Sequence, residues 1–307
     1  MVTSLQKLSE YLEKQRRSGL VPKKIRVHRE GKEFERTQWV RPEEIEKPSK
    51  VTKEEIDIID KTIRDLSKIH RDDKPEHMKR IRQKIHGEQQ LKKLDNMFSE
   101  HTENTVSKGS AMIRVCAGLL IGIDKNEIRQ SLKQELDQQR FAYNERYKKV
   151  HEEHPELGRP ISEEEVDNMI KSAFENIDEQ FLNSFTKEQA LSQEYLKQYL
   201  KTDKVKICRG VRGNLVANIK DKIKNLSDGD EIEISNGLVS GFTFDPDYTK
   251  QFGDIALTTE IPIEKVIYAF DFKEGQKPTP EGYGEHEVLV SGRDANRFKV
   301  GDIKIWK

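Results

Sequence analysis

Leu191-Ser-Gln-Glu-Tyr195-Leu-Lys-Gln-Tyr199-Leu-Lys-Thr-Asp-Lys-Val205-Lys-Ile-Cys-Arg-Gly-Val211 is the stretch on which the fold turns. Up to Tyr199 the large side chains of Leu191, Tyr195 and Tyr199 come four apart, the spacing of one helix face. From Val205 apolar residues fall on alternate positions, the repeat of a half-buried strand. Downstream the alternation persists, and strands are expected at Val205 to Val211, Glu231 to Ser235, Val239 to Phe244, Ile255 to Ile261, Val266 to Phe272, Glu287 to Val290 and Arg297 to Trp306. Short Gly, Pro, Asn and Asp breaks separate most of them.

Upstream the period is helical. Thr52 with Glu55 three residues on forms a capping box, and Ile56, Ile59, Ile63 and Leu66 continue a stripe to about His70. Pro75 opens a second helix, whose stripe of Met78, Ile81, Ile85, Leu91, Leu94 and Phe98 shifts phase near Gly87. Residues 110 to 150 hold one or two more helices. After Gly158-Arg159-Pro160 a second capping box, Ser162 with Glu165, starts a stripe running from Val166 to Phe181, and a short helix carries Leu191, Tyr195 and Tyr199. Helices followed by strands, without βαβ alternation, imply an α+β fold with an antiparallel or mixed sheet and flanking helices. Three parts are expected: residues 1–50 as a basic arm or short hairpin around Gly31, 51–158 as a charged helical domain, and 159–307 as a domain built on the β core.

Charged residues make up 36% of the 307, against roughly 25% in average proteins, so long helices with narrow apolar stripes and solvated outer faces fit the composition. Lys+Arg and Asp+Glu both number 55, which leaves no overall field to steer the chain toward nucleic acid or membrane. The local candidate for charged recognition is Lys14 to Arg41, where cations outnumber acids; it reads as a solvated arm or a face for a protein partner rather than a nucleic-acid contact. The chain opens without a basic segment followed by an apolar one, and its most apolar stretch, Ala111 to Ile123, is interrupted by Arg114 and too short to span a bilayer. The expected location is the cytoplasm, or a host cell or virion reached without a classical signal. Cys116 and Cys208 lie far apart and provide no disulfide framework or metal cluster. His70, His77, His86 and His101 sit on polar helices with no third ligand in register, and His151-Glu-Glu-His154 lacks zinc-helix spacing, so no metal is expected.

Three segments of the strand region carry the chemistry. Val205-Lys-Ile-Cys-Arg-Gly-Val211 ends a strand in Arg209-Gly210, a guanidinium suited to bidentate phosphate bonds beside a residue that permits close approach. Gly237-Leu-Val-Ser-Gly-Phe-Thr-Phe-Asp-Pro-Asp-Tyr-Thr-Lys-Gln-Phe-Gly253 carries the hydroxyls of Ser240 and Thr243 before an Asp-Pro turn and the aromatic Phe252. Glu281-Gly-Tyr-Gly-Glu-His-Glu-Val-Leu-Val290 opens a strand in which alternation puts Glu285 and Glu287 on one face and His286 on the other.

In order and spacing these segments resemble the arginine, serine and glutamate motifs of the mono-ADP-ribosyltransferase family, similar to the clostridial binary and C3-like toxins and to the arginine-specific transferases, over roughly residues 160 to 307. The resemblance implies NAD as substrate and no metal. It makes Glu287 the catalytic glutamate, and Arg209 with Gly210 the phosphate-binding pair. Glu285 orients or deprotonates the target nucleophile, Tyr283 belongs to the turn that recognises the target, and Phe242 and Phe252 are candidates to wall the nicotinamide pocket. Gly241 and Phe242 stand between Ser240 and Thr243, so the strict hydroxyl triplet is absent; Ser240 is the first choice to orient Glu287 and Thr243 the second. A glutamate at position 285 is similar to arginine-modifying members, so the partner implied is a target protein bearing arginine, with the helical half free to bind another protein. Two other readings stand beside this one. One is a structural or interaction protein, such as a phage head-associated one, carrying a degenerate transferase domain. The other is an NAD glycohydrolase or nucleic-acid modifier on the same fold.

Overall fold

The computed structural model of the protein describes residues 21–29, 32–40, 51–66, 74–103, 106–235, 237–270, 287–292 and 294–306. The chain divides into two compact units, residues 1–50 and 51–307. In the first, β1 (Val21–Arg29) and β2 (Lys32–Val40) form an antiparallel ribbon in register from Val21 opposite Val40 to Arg29 opposite Lys32.

The second unit is α+β, with helices first and strands after, following the change of period. Helix α1 (Lys53–Leu66) begins at the expected capping box: Thr52 N donates to Glu55 Oε2 at 2.9 Å and Glu55 N to Thr52 Oγ1 at 3.2 Å. The phase shift at Gly87 is the break between α2 (Lys74–His86) and α3 (Glu88–Glu103). Helix α4 (Lys108–Leu120) is the apolar segment, buried from Gly109 to Gly118, Arg114 included. Helix α5 (Lys125–Glu153) runs for 29 residues but buries only Ile128, Leu132 and Leu136 of its first half. The Ser162–Glu165 box starts α6 (Glu163–Asn176).

Two expectations need correction here. The stripe from Val166 to Phe181 belongs to two helices, because Asp178 caps a new one by accepting from Phe181 N at 2.7 Å. That helix, α7 (Glu179–Leu200), is 22 residues long, so the short helix expected at Leu191 to Tyr199 is only its second half.

Beyond it come β3 (Lys204–Val211), α8 (Asn214–Ile223), β4 (Glu231–Glu233), β5 (Val239–Thr243), β6 (Ile255–Pro262), β7 (Val266–Ala269), β8 (Glu287–Ser291), β9 (Arg297–Lys299) and β10 (Ile303–Ile305). Helix α8 was not expected; Gly213 precedes it with no side-chain cap, so the usual start signal is missing. The single strand expected from Arg297 to Trp306 is broken by a 3₁₀ turn at Val300–Asp302. Its first piece, β9, pairs with β4 in a small ribbon, and its second, β10, joins the main sheet.

That main sheet has the order β10-β6-β3-β5-β8-β7 and is antiparallel throughout. One face sends Val239, Ile267, Tyr268 and Leu289 into the core shared with the helices. The other packs Val205, Ile207, Phe242, Val288 and Val290 against Ile219 of α8 and against Ile232 and Phe298 of the ribbon. On the helical side the Phe98 and Tyr268 rings stack with centroids 3.8 Å apart. Strand β7 is a sheet edge, and α7 covers it with polar side chains: Gln193 Nε2 donates to Val266 O at 2.7 Å and Ser192 Oγ accepts from Ala269 N at 2.8 Å.

Inside the helical layer lies a buried ionic group. Arg82 Nη2 meets Glu188 Oε1 at 2.6 Å, and His86 Nε2 meets Glu188 Oε2 at 2.7 Å. Burial alone would raise the Glu188 carboxyl, but the Arg82 charge and the bonds from both partners outweigh it and hold it below the usual carboxylate range.

Candidate active site

Strand β5 is the middle of three neighbours, with β3 on one side and β8 on the other. The three expected segments therefore meet although they are distant in sequence. Between β3 and β5 only Cys208 and Thr243 are in register. Beyond that pair a cleft of about 510 Å³ is lined by Arg209 and Gly210 from β3, by Ser240, Gly241 and Thr243 from β5, and by Glu287 at the head of β8. Such a volume falls in the range of small-molecule and cofactor sites. A larger hollow of about 700 Å³, bordered by Lys206, Glu260, Arg297 and Asp302, contains none of these residues.

Arg209 spans the opening, its Nη1 donating to Ser240 Oγ at 2.7 Å. Burial and the nearby Arg114 charge hold the Arg209 guanidinium below its ordinary value while Glu135 acts against them; it remains a cation at any physiological pH. The space that Gly210 leaves open is taken by the carbonyl of Thr249 and by Phe252 Cβ, so this glycine lets the 3₁₀ turn Tyr248–Gln251 close on the strand. That turn is the expected continuation of the Asp-Pro segment.

On the other strand pair Thr243 lies directly opposite Glu287, and Ser240 lies opposite Val290. The two hydroxyl residues thus serve different partners: Ser240 is tied to Arg209, and Thr243 shares the cross-strand position with Glu287. Alternation also places Gly241 on the Thr243 face, where a Cβ would lie 2.6 Å from Glu287 Oε1. The departure from a hydroxyl triplet has a steric reason, since the glutamate carboxylate occupies the room that a side chain at 241 would need.

Both aromatic candidates line the cleft but differ in exposure. Phe242 is buried and packs into the core under the sheet, whereas Phe252 is 41% exposed with its ring 5.2 Å from that of Tyr248, a surface on which a planar ring can stack. Cys208 also lines the cleft, but burial pushes its thiol up, which makes it a poor nucleophile. Tyr283 and Glu285 lie outside the described residues.

The helices contribute three residues that sequence reasoning passed over: His101 of α3, Arg114 of α4 and Gln139 of α5. Each of the first two left a trace. His101 falls three residues after Phe98, on the apolar stripe of α3, and Arg114 is the one charge inside the apolar stretch of α4. Arg114 Nε donates to Glu135 Oε2 at 3.0 Å, its Nη1 to Ser110 O at 3.1 Å, and Glu135 Oε1 in turn accepts the amide of Leu238, just before β5. His101 Nδ1 lies 2.6 Å from Ser110 Oγ and its Nε2 3.6 Å from Glu287 Oε1.

Among the described residues no group of three or more His, Cys, Asp or Glu is placed to hold a metal ion, and no helix is long and apolar enough to cross a membrane. The cleft thus brings the Arg209 guanidinium, the hydroxyls of Ser240 and Thr243 and the Tyr248 and Phe252 rings beside the partly exposed Glu287 carboxylate. Comparison with family models, curated proteins and solved structures finds no match for this chain, so its reading rests on this geometry and on the motifs.

Proposed function

We propose that the protein is a mono-ADP-ribosyltransferase that moves ADP-ribose from NAD to a protein side chain, arginine by the identity of Glu285. The observation that carries this reading is the convergence of Arg209, Ser240 and Glu287, three motif residues far apart in sequence, on one cleft through three adjacent strands. The further residues support it. Arg209, with its charge disfavoured by burial and by Arg114, gains from an arriving phosphate. Phe252 and Tyr248 offer a stacking surface for a base or nicotinamide ring.

In this mechanism the bond between nicotinamide and ribose breaks and its electron pair leaves with the ring nitrogen, while positive charge builds on the ribose carbon. Glu287, bonded to the ribose 2′-hydroxyl, holds it more tightly as that charge develops. The target nitrogen then forms the new bond to the same carbon and gives up a proton, for which Glu285 is the assigned acceptor.

The test is incubation of the full chain with tagged NAD and candidate target proteins, with release of nicotinamide measured in parallel. The reading predicts labelled protein, with the label on arginine, and a loss of about a hundredfold or more in Glu287→Ala. A wild-type chain that neither labels protein nor releases nicotinamide removes it. Nicotinamide release without labelling favours the glycohydrolase reading. NAD binding without turnover favours a degenerate domain.

A further inference from the structure

Glu287 meets a residue of the helical layer, and that contact has a defined construction. We propose that His101 is a positioning residue for Glu287, set in turn by Ser110, so that the helices supply part of the working site; this rests on the transferase reading above.

His101 is 7% exposed, in the last turn of α3, with its ring packed nearly parallel to that of Phe270 at 6.2 Å. Its Nδ1 side is fixed by Ser110 Oγ at 2.6 Å. The backbone of Ser110 is held on both sides: its amide donates to the N-cap Ser107 Oγ at 3.1 Å and its carbonyl accepts from Arg114. A serine hydroxyl that donates to Nδ1 places the hydrogen of a neutral imidazole on Nε2, and a protonated ring carries hydrogen on both nitrogens. When the hydroxyl donates, or when the ring is protonated, an Nε2–H points toward Glu287 Oε1, 3.6 Å away.

That separation decides the role. It is too long for a full hydrogen bond, yet short enough for strong attraction in a partly buried setting. The carboxylate is steered while keeping its acceptor capacity for a ribose hydroxyl. Gly241 on the adjacent strand leaves the room that the same oxygen fills, since a Cβ there would lie 2.6 Å from it. Oε1 is thus bounded by a strand on one side and an imidazole on the other. Among the described residues that line the cleft Glu287 is the only carboxylate, and it is the one that the second nitrogen of His101 faces.

The experiment measures steady-state release of nicotinamide from NAD by the full chain, together with thermal melting of each variant. His101→Leu, which keeps the volume and removes the donor, is expected to lower kcat about tenfold, less than loss of a group touching the transition state. KM for NAD should stay within about twofold, because the affected group is the carboxylate and not the bound nucleotide. His101→Gln, whose amide nitrogen reaches the place of Nε2, restores most of kcat. Ser110→Ala gives a smaller loss of the same kind. In a Glu287→Ala background, His101→Leu has no further effect.

A folded His101→Leu with wild-type kcat overturns the proposal. So do equal losses in the Leu and Gln variants that follow their melting temperatures. Should His101→Leu not fold, unchanged kcat in Ser110→Ala overturns it instead. A wild-type chain without any NAD cleavage sinks the transferase reading and this proposal with it, whereas wild-type cleavage indifferent to position 101 sinks this proposal alone.

Discussion

Among the described residues two glutamates face a buried histidine, and the two pairs are built to opposite ends. Glu188 lies inside the helical layer with both oxygens taken, one by Arg82 at 2.6 Å and one by His86 at 2.7 Å. Glu287 stands at the edge of the cleft, its side chain 22% exposed, with His101 at 3.6 Å. The first is closed by short charge-assisted bonds and has nothing left to offer a ligand. The second is steered but unsaturated. The residue types are the same, and the difference lies in how many partners the fold brings up, which separates a carboxylate that holds the structure from one with capacity left for chemistry.

The sharpest way to break this contrast is through stability. Glu188→Ala removes one of the two carboxylates on buried Arg82, which keeps Asp95 at 2.8 Å, so the loss is expected at the lower end of the roughly 3–5 kcal/mol for breaking such a group. Denaturant unfolding should show that loss, while Glu287→Ala melts close to wild type; equal melting of the two variants would erase the distinction. Activity gives the mirror image. Glu287→Ala should lose about a hundredfold or more in nicotinamide release, and any Glu188 variant that still folds should keep its kcat.

Gly241→Ala is a subtler probe. Its Cβ would lie 2.6 Å from Glu287 Oε1, so the carboxylate must move; a displacement of that order costs roughly ten- to a hundredfold in kcat with melting little changed. If Gly241→Ala cleaves NAD as well as wild type, the close fit between the strands has no functional weight.

The smallest effect is in pH. Because Glu188 is held below the ordinary carboxylate value when folded, its contribution is complete above about pH 4.3, the unfolded value, and is lost as pH falls toward the folded one. Melting temperature should therefore decline on the acid side, and Glu188→Gln, already lacking the charge, should flatten that limb.

The fold class could be read from the switch at Leu191 to Val211 because helix and strand periods are local properties of sequence. Element ends followed their chemistry too: the boxes at Thr52 and Ser162 are formed. What escaped had a weak local signal or none. Helix α8 starts at Gly213 without a side-chain cap, and after Arg297 only the phase shift at Gly301-Asp302 marks the 3₁₀ turn that sends the two halves of the segment to different sheets.

Arg209, Ser240 and Glu287 were marked by their neighbours in sequence, but periodicity has no means of stating that β5 lies between β3 and β8. The same limit hid His101. Its place on the apolar stripe of α3 was visible, yet which sheet residue that stripe would meet depends on packing over a long separation. The split of roles between Ser240 and Thr243 likewise depends on strand register.

The carboxylate of Glu135 accepts the amide of Leu238 across 103 positions of chain. In kinetic terms this is a costly contact, since a loop that long must close before the bond returns anything. The strand that carries Ser240 is consequently anchored to a helix made much earlier in synthesis. The cleft therefore needs both ends of that contact, and a nascent chain has no complete site until the segment through β8 has been made.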